Sequence, residues 1–206
     1  MRRRAARPEQ PDFPLRAQHP WAPDDQASQG LFLTAEEKLE LLRVGEVVEF
    51  KASGPPILMQ GGRAAHLFYL SKGVVQGTHT IRSGVRQSVA LYWPGDFFGT
   101  ARQGQFFSTA EAVTNCTVVK FPITGLEMYL QKHPATQQKL LIKAAHDLRI
   151  AQRGLIVMGA LDVTRRLAVF LLDCCGQPEY FDFGTQTLTV PITRNGMVIP
   201  PQTNRV

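Results

Sequence analysis

Short runs of alternating apolar and polar residues occupy the chain between residues 44 and 122. Five of these runs are rich in β-branched and aromatic residues, at positions 47–50, 66–70, 74–79, 87–92 and 117–121. Turn residues such as Gly73, Gly84 and the Pro-Gly-Asp sequence at 94–96 separate them at intervals typical of an antiparallel sandwich or barrel. The pattern therefore predicts a small β-roll.

The segment before the roll has a different pattern. Residues 1–30 contain five prolines among polar residues, too little apolar material to offset the entropy cost of ordering, and we expect a flexible arm. Thr34 and Glu37 have the spacing of a capping box, in which each side chain accepts a hydrogen bond from the other residue's backbone amide at a helix start. We expect Leu39 and Leu42 to form the buried face of that helix.

After Pro134 the spacing of apolar residues becomes that of a helix. Apolar positions repeat at alternating steps of three and four residues, as the a and d positions of a coiled coil do. This seam consists of Leu141, Ala144, Leu148, Ala151, Leu155 and Met158. The seam can pair with the same helix of a second copy, or it can pack on the chain's own roll. Its strict and narrow spacing favours a parallel homodimer.

A second helix is expected to begin after Asp162, whose side chain can cap the backbone amides two and three residues later. Residues 187–190 have the composition of a short strand, and Thr193 can cap one more helix. That last helix is expected to be short, because Gly196 and the two prolines at 200–201 follow it.

Composition restricts the function further. The chain has 206 residues, 44% of them hydrophobic, and a formal net charge of +6, which favours a polyanionic partner, although four of the arginines lie in the first seven residues. No apolar run approaches the roughly 20 residues that span a bilayer, and no apolar leader follows the basic start. Three cysteines without spaced pairing fit a reducing compartment. We therefore expect a cytoplasmic protein.

Four short motifs carry a resemblance to a known family. Residues 69–73 (YLSKG) and 94–99 (PGDFFG) lie in the predicted roll, residues 162–168 (DVTRRLA) open the helix after the seam, and residues 191–195 (PITRN) follow the predicted strand. In this order, and combined with the predicted elements, they resemble the Crp/Fnr superfamily of transcription regulators, in its FixK-like and Fnr-like branch. The resemblance covers about residues 31–196.

The resemblance implies an α+β fold with three parts after the arm. Residues 31–133 would form a sensor β-roll of the cyclic-nucleotide-binding type (a jelly roll), residues 134–159 a dimerisation helix, and residues 160–206 a partial winged helix-turn-helix. It implies a DNA-binding regulator of transcription, with DNA, a second copy and RNA polymerase as partners, and no membrane partner. The candidate contacts to the DNA backbone are Arg165, Arg166, Thr193 and Arg194.

The sequence departs from the family after Met197. The family continues with a turn and a recognition helix, whereas residues 197–206 (MVIPPQTNRV) place two successive prolines where that helix is required. Reading of bases needs a rigid element in the major groove. We therefore predict a truncated helix-turn-helix. The function that the resemblance implies is regulation of transcription by a DNA-binding dimer, without cyclic AMP and without an iron–sulfur cluster. The alternative is a sensor and dimerisation fragment that no longer binds DNA specifically, because the recognition helix is missing. For the chain as given, we expect a palindromic operator to be bound no better than random duplex.

The ligand-pocket candidates of the roll are Gly99, Thr100, Ser108 and Thr109. In the family's cyclic-nucleotide binders a Glu follows the glycine and takes the ribose hydroxyl, and a pair of Arg and a hydroxyl residue takes the cyclic phosphate. Thr100 stands in the place of that Glu, and Ser108 in the place of that Arg. We therefore expect no cyclic AMP binding.

No cofactor or catalytic pattern is present in the sequence. An iron–sulfur cluster needs four thiolates, but the chain has three cysteines, and none precedes Cys116. The five histidines lack the spacing of metal ligands, and no nucleophile elbow or phosphate-binding glycine loop occurs. We therefore expect no metal and no enzymatic activity.

Overall fold

The structure is a computed structural model that describes residues 33–176 and 180–190. The helices of this part are α1 (Ala35–Leu42), α2 (Ile123–Lys132), α3 (Pro134–Ala160) and α4 (Val163–Cys175). The strands are β1 (Glu46–Phe50), β2 (His66–Lys72), β3 (Val75–Thr80), β4 (Arg86–Tyr92), β5 (Phe97–Phe98), β6 (Ala101–Arg102), β7 (Gln105–Phe106), β8 (Thr109–Ala112), β9 (Cys116–Pro122), β10 (Phe181–Asp182) and β11 (Thr187–Leu188).

Two antiparallel sheets form the body of the roll. The larger has the strand order β1-β9-β2-β5, with Glu46 opposite Lys120 and Phe50 opposite Cys116 in the first pair. The smaller has the order β4-β3-β8, while β6 pairs with β7 and β10 with β11. The predicted α+β fold with a β-roll is confirmed, and each of the five predicted runs coincides with a strand to within two residues at either end.

The interior of the roll is an apolar layer to which both sheets contribute. Its buried members are Leu58, Phe68, Leu70, Val75, Phe98, Phe106, Ala110, Ala112, Cys116 and Val118. Because successive strand residues face opposite sides of a sheet, Phe68 and Val118 point inward while Tyr69 and Val119 point to the other face. The two faces of the larger sheet therefore bury two separate clusters.

The second cluster joins the outer face of the larger sheet to the helices. Tyr69, Val119 and Phe121 pack there against Leu41 of α1 and Leu126 of α2. α2 follows β9 without a break, and no pattern in the sequence predicts it. Its N-cap position is occupied by a proline and makes no side-chain capping hydrogen bond, so the usual sequence signal of a helix start is missing.

The capping box at α1 is confirmed, but the predicted buried face of this helix is wrong in part. The amide of Glu37 donates to the Thr34 hydroxyl at 3.2 Å, and the amide of Thr34 donates to Glu37 Oε2 at 2.7 Å. Leu39, expected inside, is 61% exposed, while Leu41 is 2% exposed. Leu41 is buried because the side of this two-turn helix that carries it packs against the sheet and α2.

The helices after Pro134 match the pattern closely. α3 begins at Pro134, and α4 begins after Asp162, whose Oδ1 accepts a hydrogen bond from the amide of Arg165 at 2.9 Å, the third residue on and not the second. The predicted strand at 187–190 is shorter and pairs with β10 as a hairpin. The expected arm at 1–30, the helix cap Thr193 and the divergent residues 197–206 lie outside the described residues. None of the helices within 33–176 is both long and apolar enough to span a bilayer.

Candidate functional site

Gly99 occupies a position that only glycine adopts without strain. Its φ is +88°, and a Cβ built on it would lie 2.7 Å from Cδ2 of Phe68 and 3.3 Å from Cδ2 of Leu58. The backbone at the end of β5 therefore runs directly over the aromatic interior. Glycine is required here because any side chain would clash with Phe68 in the core, and the positive φ forms the turn that leads to Thr100.

The structure brings the two candidate ligand segments together. The amide of Phe107 donates to the carbonyl oxygen of Thr100 at 3.3 Å, which places Ser108 and Thr109 close to Gly99 and Thr100. Thr100 is exposed, and Ser108 is half-buried. The Thr109 hydroxyl accepts a hydrogen bond from the amide of Gln60 at 3.0 Å. This hydrogen bond uses one acceptor position of the Thr109 hydroxyl and ties it to the loop at Gln60.

Gln60 and His79, which no sequence pattern identifies as site residues, also lie in this region. The side-chain amide of Gln60 bonds to both the amide and the carbonyl of Thr80, at 2.7 and 3.0 Å, and so fastens a loop to the end of β3. His79 Nδ1 lies 2.7 Å from the carbonyl oxygen of Phe107, and the two rings stack with centroids 4.5 Å apart. The sequence holds no signal for Gln60, because it lies in a loop without periodicity.

The interior below Gly99 is filled by aromatic rings. Phe68 stacks on Phe98 with centroids 5.3 Å apart and lies 6.1 Å from Phe106, while Tyr92 stacks on Phe98 at 5.3 Å. Burial raises the pKa of the Tyr92 phenol above its ordinary value, and the nearby Asp96 carboxylate adds to this shift. These contacts are those of a packed apolar core.

A phosphate would need a cation and several donors at this place. Arg86 of β4 forms an ion pair with Glu111 and donates to the hydroxyl of Thr78 at 3.0 Å, so its guanidinium is already engaged. Arg102 lies on an exposed strand, three residues from Gly99 along the chain. Among the four candidates, Thr100, Ser108 and Thr109 contribute hydroxyl groups but no charge.

Cys116 is a buried part of the roll. It is 3% exposed, and its thiol lies 3.2 Å from the carbonyl oxygen of Val74 and 3.1 Å from that of Thr114. Burial raises the pKa of this thiol, so the reactive thiolate is disfavoured. Cys174 is also buried, and Cys175 is half-buried. Within the described residues, no group of three or more His, Cys, Asp or Glu side chains is placed to hold a metal ion.

The seam of α3 lies open along the helix. Leu141, Leu148 and Leu155 are 70%, 60% and 75% exposed, and Ala144 and Ala151 are exposed as well. The alternative that this stripe packs on the chain's own roll is therefore wrong for these five residues. The side chain of Met158, the sixth, lies outside the described part.

The candidate DNA contacts are divided between exposed, half-buried and undescribed positions. Arg165 is 72% exposed and pairs with Asp162 at 3.6 Å, whereas Arg166 is half-buried and its Nε donates to the carbonyl oxygen of Leu161 at 2.8 Å. Arg165 is therefore the better placed of the two to reach a phosphate. Thr193 and Arg194 lie outside the described residues.

The β-roll followed by a long helix has the architecture of a domain of the cyclic-nucleotide-binding type. Residues 48–133 match the cyclic nucleotide-binding domain family. The chain is 24% identical to the nitrogen fixation regulation protein FixK of Bradyrhizobium diazoefficiens, over 79% of this chain and 68% of that protein. It is 25% identical to FixK of Rhizobium meliloti, over 80% and 77% of the two chains.

A solved structure shares the fold. FixK2 from Bradyrhizobium japonicum superposes with a TM-score of 0.65 at 22% identity, covering 75% of this chain and 76% of that one. Residues 48–133 thus form a domain of the cyclic nucleotide-binding family, and over most of its length the chain is similar to transcription regulators of the Crp/Fnr type.

Proposed function

We propose that the chain regulates transcription by binding DNA as a parallel homodimer. The observation that carries this proposal is the open seam of α3, in which three leucines at seven-residue intervals stay more than half exposed. A stripe of this spacing is stable in water when a second helix covers it. In a parallel pair, the two α4 helices would lie at the same end of the dimer, as recognition of successive half-sites requires.

The roll and α1 contact α3 on the side away from the seam, from its start as far as Lys143, whose Nζ lies 3.9 Å from Asp96 Oδ1. Thr136 is 3% exposed, and Leu140 packs in the cluster with Leu41 and Leu126. Lys139 Nζ forms an ion pair with Glu37 of α1 at 2.7 Å. The helix is therefore fixed at its start by the roll, and the seam from Leu141 onward is available to a second copy.

The proposal divides the chain into the parts that the family implies. Residues 31–133 act as the sensor, 134–159 as the dimerisation helix, and 160–206 as the DNA-binding part. Arg165, at the start of α4, supplies a phosphate contact, and the net charge of +6 favours the polyanion. RNA polymerase as a further partner, a cytoplasmic location and the lack of enzymatic activity remain predictions from the family.

We further propose that the sensor works without cyclic nucleotide and without an iron–sulfur cluster. Thr100 and Ser108 carry no charge, the Thr109 hydroxyl is bonded to the loop at Gln60, and aromatic rings fill the interior below Gly99. Calorimetry with cyclic AMP, and in parallel with cyclic GMP, tests this. We expect no heat of binding up to about millimolar ligand. A micromolar dissociation constant, about −8 kcal/mol, would contradict it.

A second candidate function is a sensor and dimerisation module that does not select a DNA sequence. The observation that favours it is the pair of prolines at 200–201, which cannot sit inside a recognition helix. Phosphate contacts alone give salt-dependent binding that is equal for all sequences. The two candidates therefore differ in sequence preference.

Competition gel shifts with a palindromic operator of the family and a random duplex of equal length separate the two candidates. A preference of about a hundredfold for the operator, or about 2.7 kcal/mol, supports the sequence-specific regulator. Equal competition, lost at moderate salt, supports the second candidate. Arg165→Gln should weaken binding to both duplexes equally, because a phosphate contact carries no sequence information.

A further inference from the structure

The aromatic ring of Tyr92 lies between the two sheets of the roll. Tyr92 is opposite Val75 in the β3–β4 pair, so its side chain starts on the inner face of the smaller sheet, where Val75 is buried. At its other side, the ring stacks on Phe98 of the larger sheet with centroids 5.3 Å apart. One side chain thus bridges the space that separates the sheets.

A row of small residues on the smaller sheet lies beside this ring. Gly77 is opposite Ala90 of β4 and opposite Ala110 of β8, so the row has no side chain larger than a methyl group. A glycine inside a strand weakens it and often marks the close approach of another group. Here that group is Tyr92, because a Cβ built on Gly77 would lie 3.1 Å from Cε2 and 3.5 Å from Oη of its ring.

The walls of this space are held independently of Tyr92. Phe98 also stacks on Phe68 with centroids 5.3 Å apart, and Phe68 lies 6.1 Å from Phe106. The row at Gly77 is held by the backbone ladders that join β3 to β4 and to β8. Because a packed interior relaxes only partly when one side chain is removed, we expect the space to stay open without the Tyr92 ring.

Tyr92 lies at the border of the apolar interior. Phe98 and Phe68 are 1% and 4% exposed, whereas Tyr92 is half-buried and packs against their cluster from its edge. Removal of the Tyr92 ring therefore opens the space toward solvent. A small aromatic molecule can then enter it.

We propose that Tyr92 is a built-in occupant of the roll, whose ring fills the space between Gly77 and Phe98 and closes it to small aromatic ligands. This inference rests on the proposed function, because it gives the proposed lack of a nucleotide ligand a steric cause besides the uncharged Thr100 and Ser108. The two can fail separately. Cyclic AMP binding by the parent chain contradicts the proposed function, whereas phenol binding by variants of Tyr92 tests the occupant.

Calorimetry with phenol on the full chain is the test. Tyr92→Ala removes a ring of the size of the probe. We expect phenol to bind this variant at least about tenfold more tightly than the wild type, because apolar cavities take up small aromatic molecules. Bound phenol should also raise the urea midpoint of Tyr92→Ala. Tyr92→Phe should behave as the wild type, since it keeps the ring.

Tyr69→Ala is the matched control. Tyr69 is 8% exposed and contacts the ring of Phe97 with centroids 5.1 Å apart, but it packs in the cluster on the outer face of the larger sheet, with Leu41 of α1. We expect no gain in phenol binding there, because a helix can close on the space that the ring leaves. Equal phenol binding by the two alanine variants, or no gain in Tyr92→Ala, would overturn the proposal.

A second arm fills the same space from the opposite wall. In the Tyr92→Ala background, Gly77→Val should reduce phenol binding to the level of the wild type. If Tyr92→Ala does not fold, Tyr92→Leu serves in its place with Gly77→Ala, which should lower the urea midpoint less than it does in the wild type, because the ring that the new Cβ meets is gone. An equal decrease in both backgrounds would show that Tyr92 does not fill the space at Gly77.

Discussion

Two carboxyl groups that contact α3 lie in opposite electrostatic environments. Burial raises the pKa of Asp96 above its ordinary value, and the amide of Trp93 and the ammonium group of Lys143 offset only part of this effect. The hydrogen bond from Lys139 lowers the pKa of Glu37, and the backbone amide of Thr34 adds to it. Folding therefore favours the neutral form of one acid and the charged form of the other.

These environments predict opposite pH dependences for two variants. The folded chain retains the Asp96 proton at a pH where the unfolded chain has released it, so the stability that Asp96 contributes is present at low pH and lost as pH rises. The free energy of unfolding of the wild type minus that of Asp96→Asn should therefore fall with rising pH. The pKa of Glu37 is lowered in the folded chain, so its carboxylate adds stability only at a pH where it is charged. The free energy of unfolding of the wild type minus that of Glu37→Gln should therefore rise with pH. Urea unfolding between about pH 3 and 7 measures both differences, and slopes of the same sign would contradict the assignment.

At the scale of single elements, the structure shows what the sequence could and could not predict. The strands and α3 were predictable because their apolar residues follow the period of the element that they form. α2 was missed because it has no capping side chain, and Leu39 was misplaced because a two-turn helix with three leucines has no unique apolar face. Only the packing of α1 on the sheet and on α2 decides which leucine is buried.

The sequence also predicted the positions of the candidate site residues, but not all of their contacts. Family motifs located Gly99, Thr100, Ser108 and Thr109, which the structure places in neighbouring segments. The partner of the Thr109 hydroxyl was not predictable, because Gln60 is 49 residues away along the chain and lies in an irregular loop. Contacts across such a separation are set by tertiary structure, and a single sequence does not contain them as a pattern.

The corrected face of α1 leads to a stability prediction. Leu41→Ala removes a buried side chain from the cluster that contains Phe121 and Leu126, and should lower the free energy of unfolding by roughly 2–5 kcal/mol. Leu39→Ala is its matched control, made two residues away on an exposed position, and should cost within about 0.5 kcal/mol. Urea unfolding of the two variants checks the prediction. Equal losses would mean that Leu39 packs inside after all.

At the scale of the whole molecule, the long helix carries apolar surface that the described part of the chain leaves uncovered. Leu141, Leu148 and Leu155 lie seven residues apart on one side of α3, away from the side that the roll and α1 contact. Ile150 is also exposed, but it lies about 200° around the helix axis from Leu148. A second copy that covers the seam would leave Ile150 in solvent, so the two positions distinguish a specific dimer from nonspecific association.

Sedimentation equilibrium of the parent chain, Leu148→Glu and Ile150→Glu is the most direct test of the central claim. We expect the parent and Ile150→Glu to have the mass of two chains at micromolar concentration. Leu148→Glu should be a folded monomer, because a carboxylate at the centre of the seam would be buried without a partner. A parent chain that is already monomeric, or a Leu148→Glu variant that still dimerises, would contradict the account of a regulator that works as a dimer through α3.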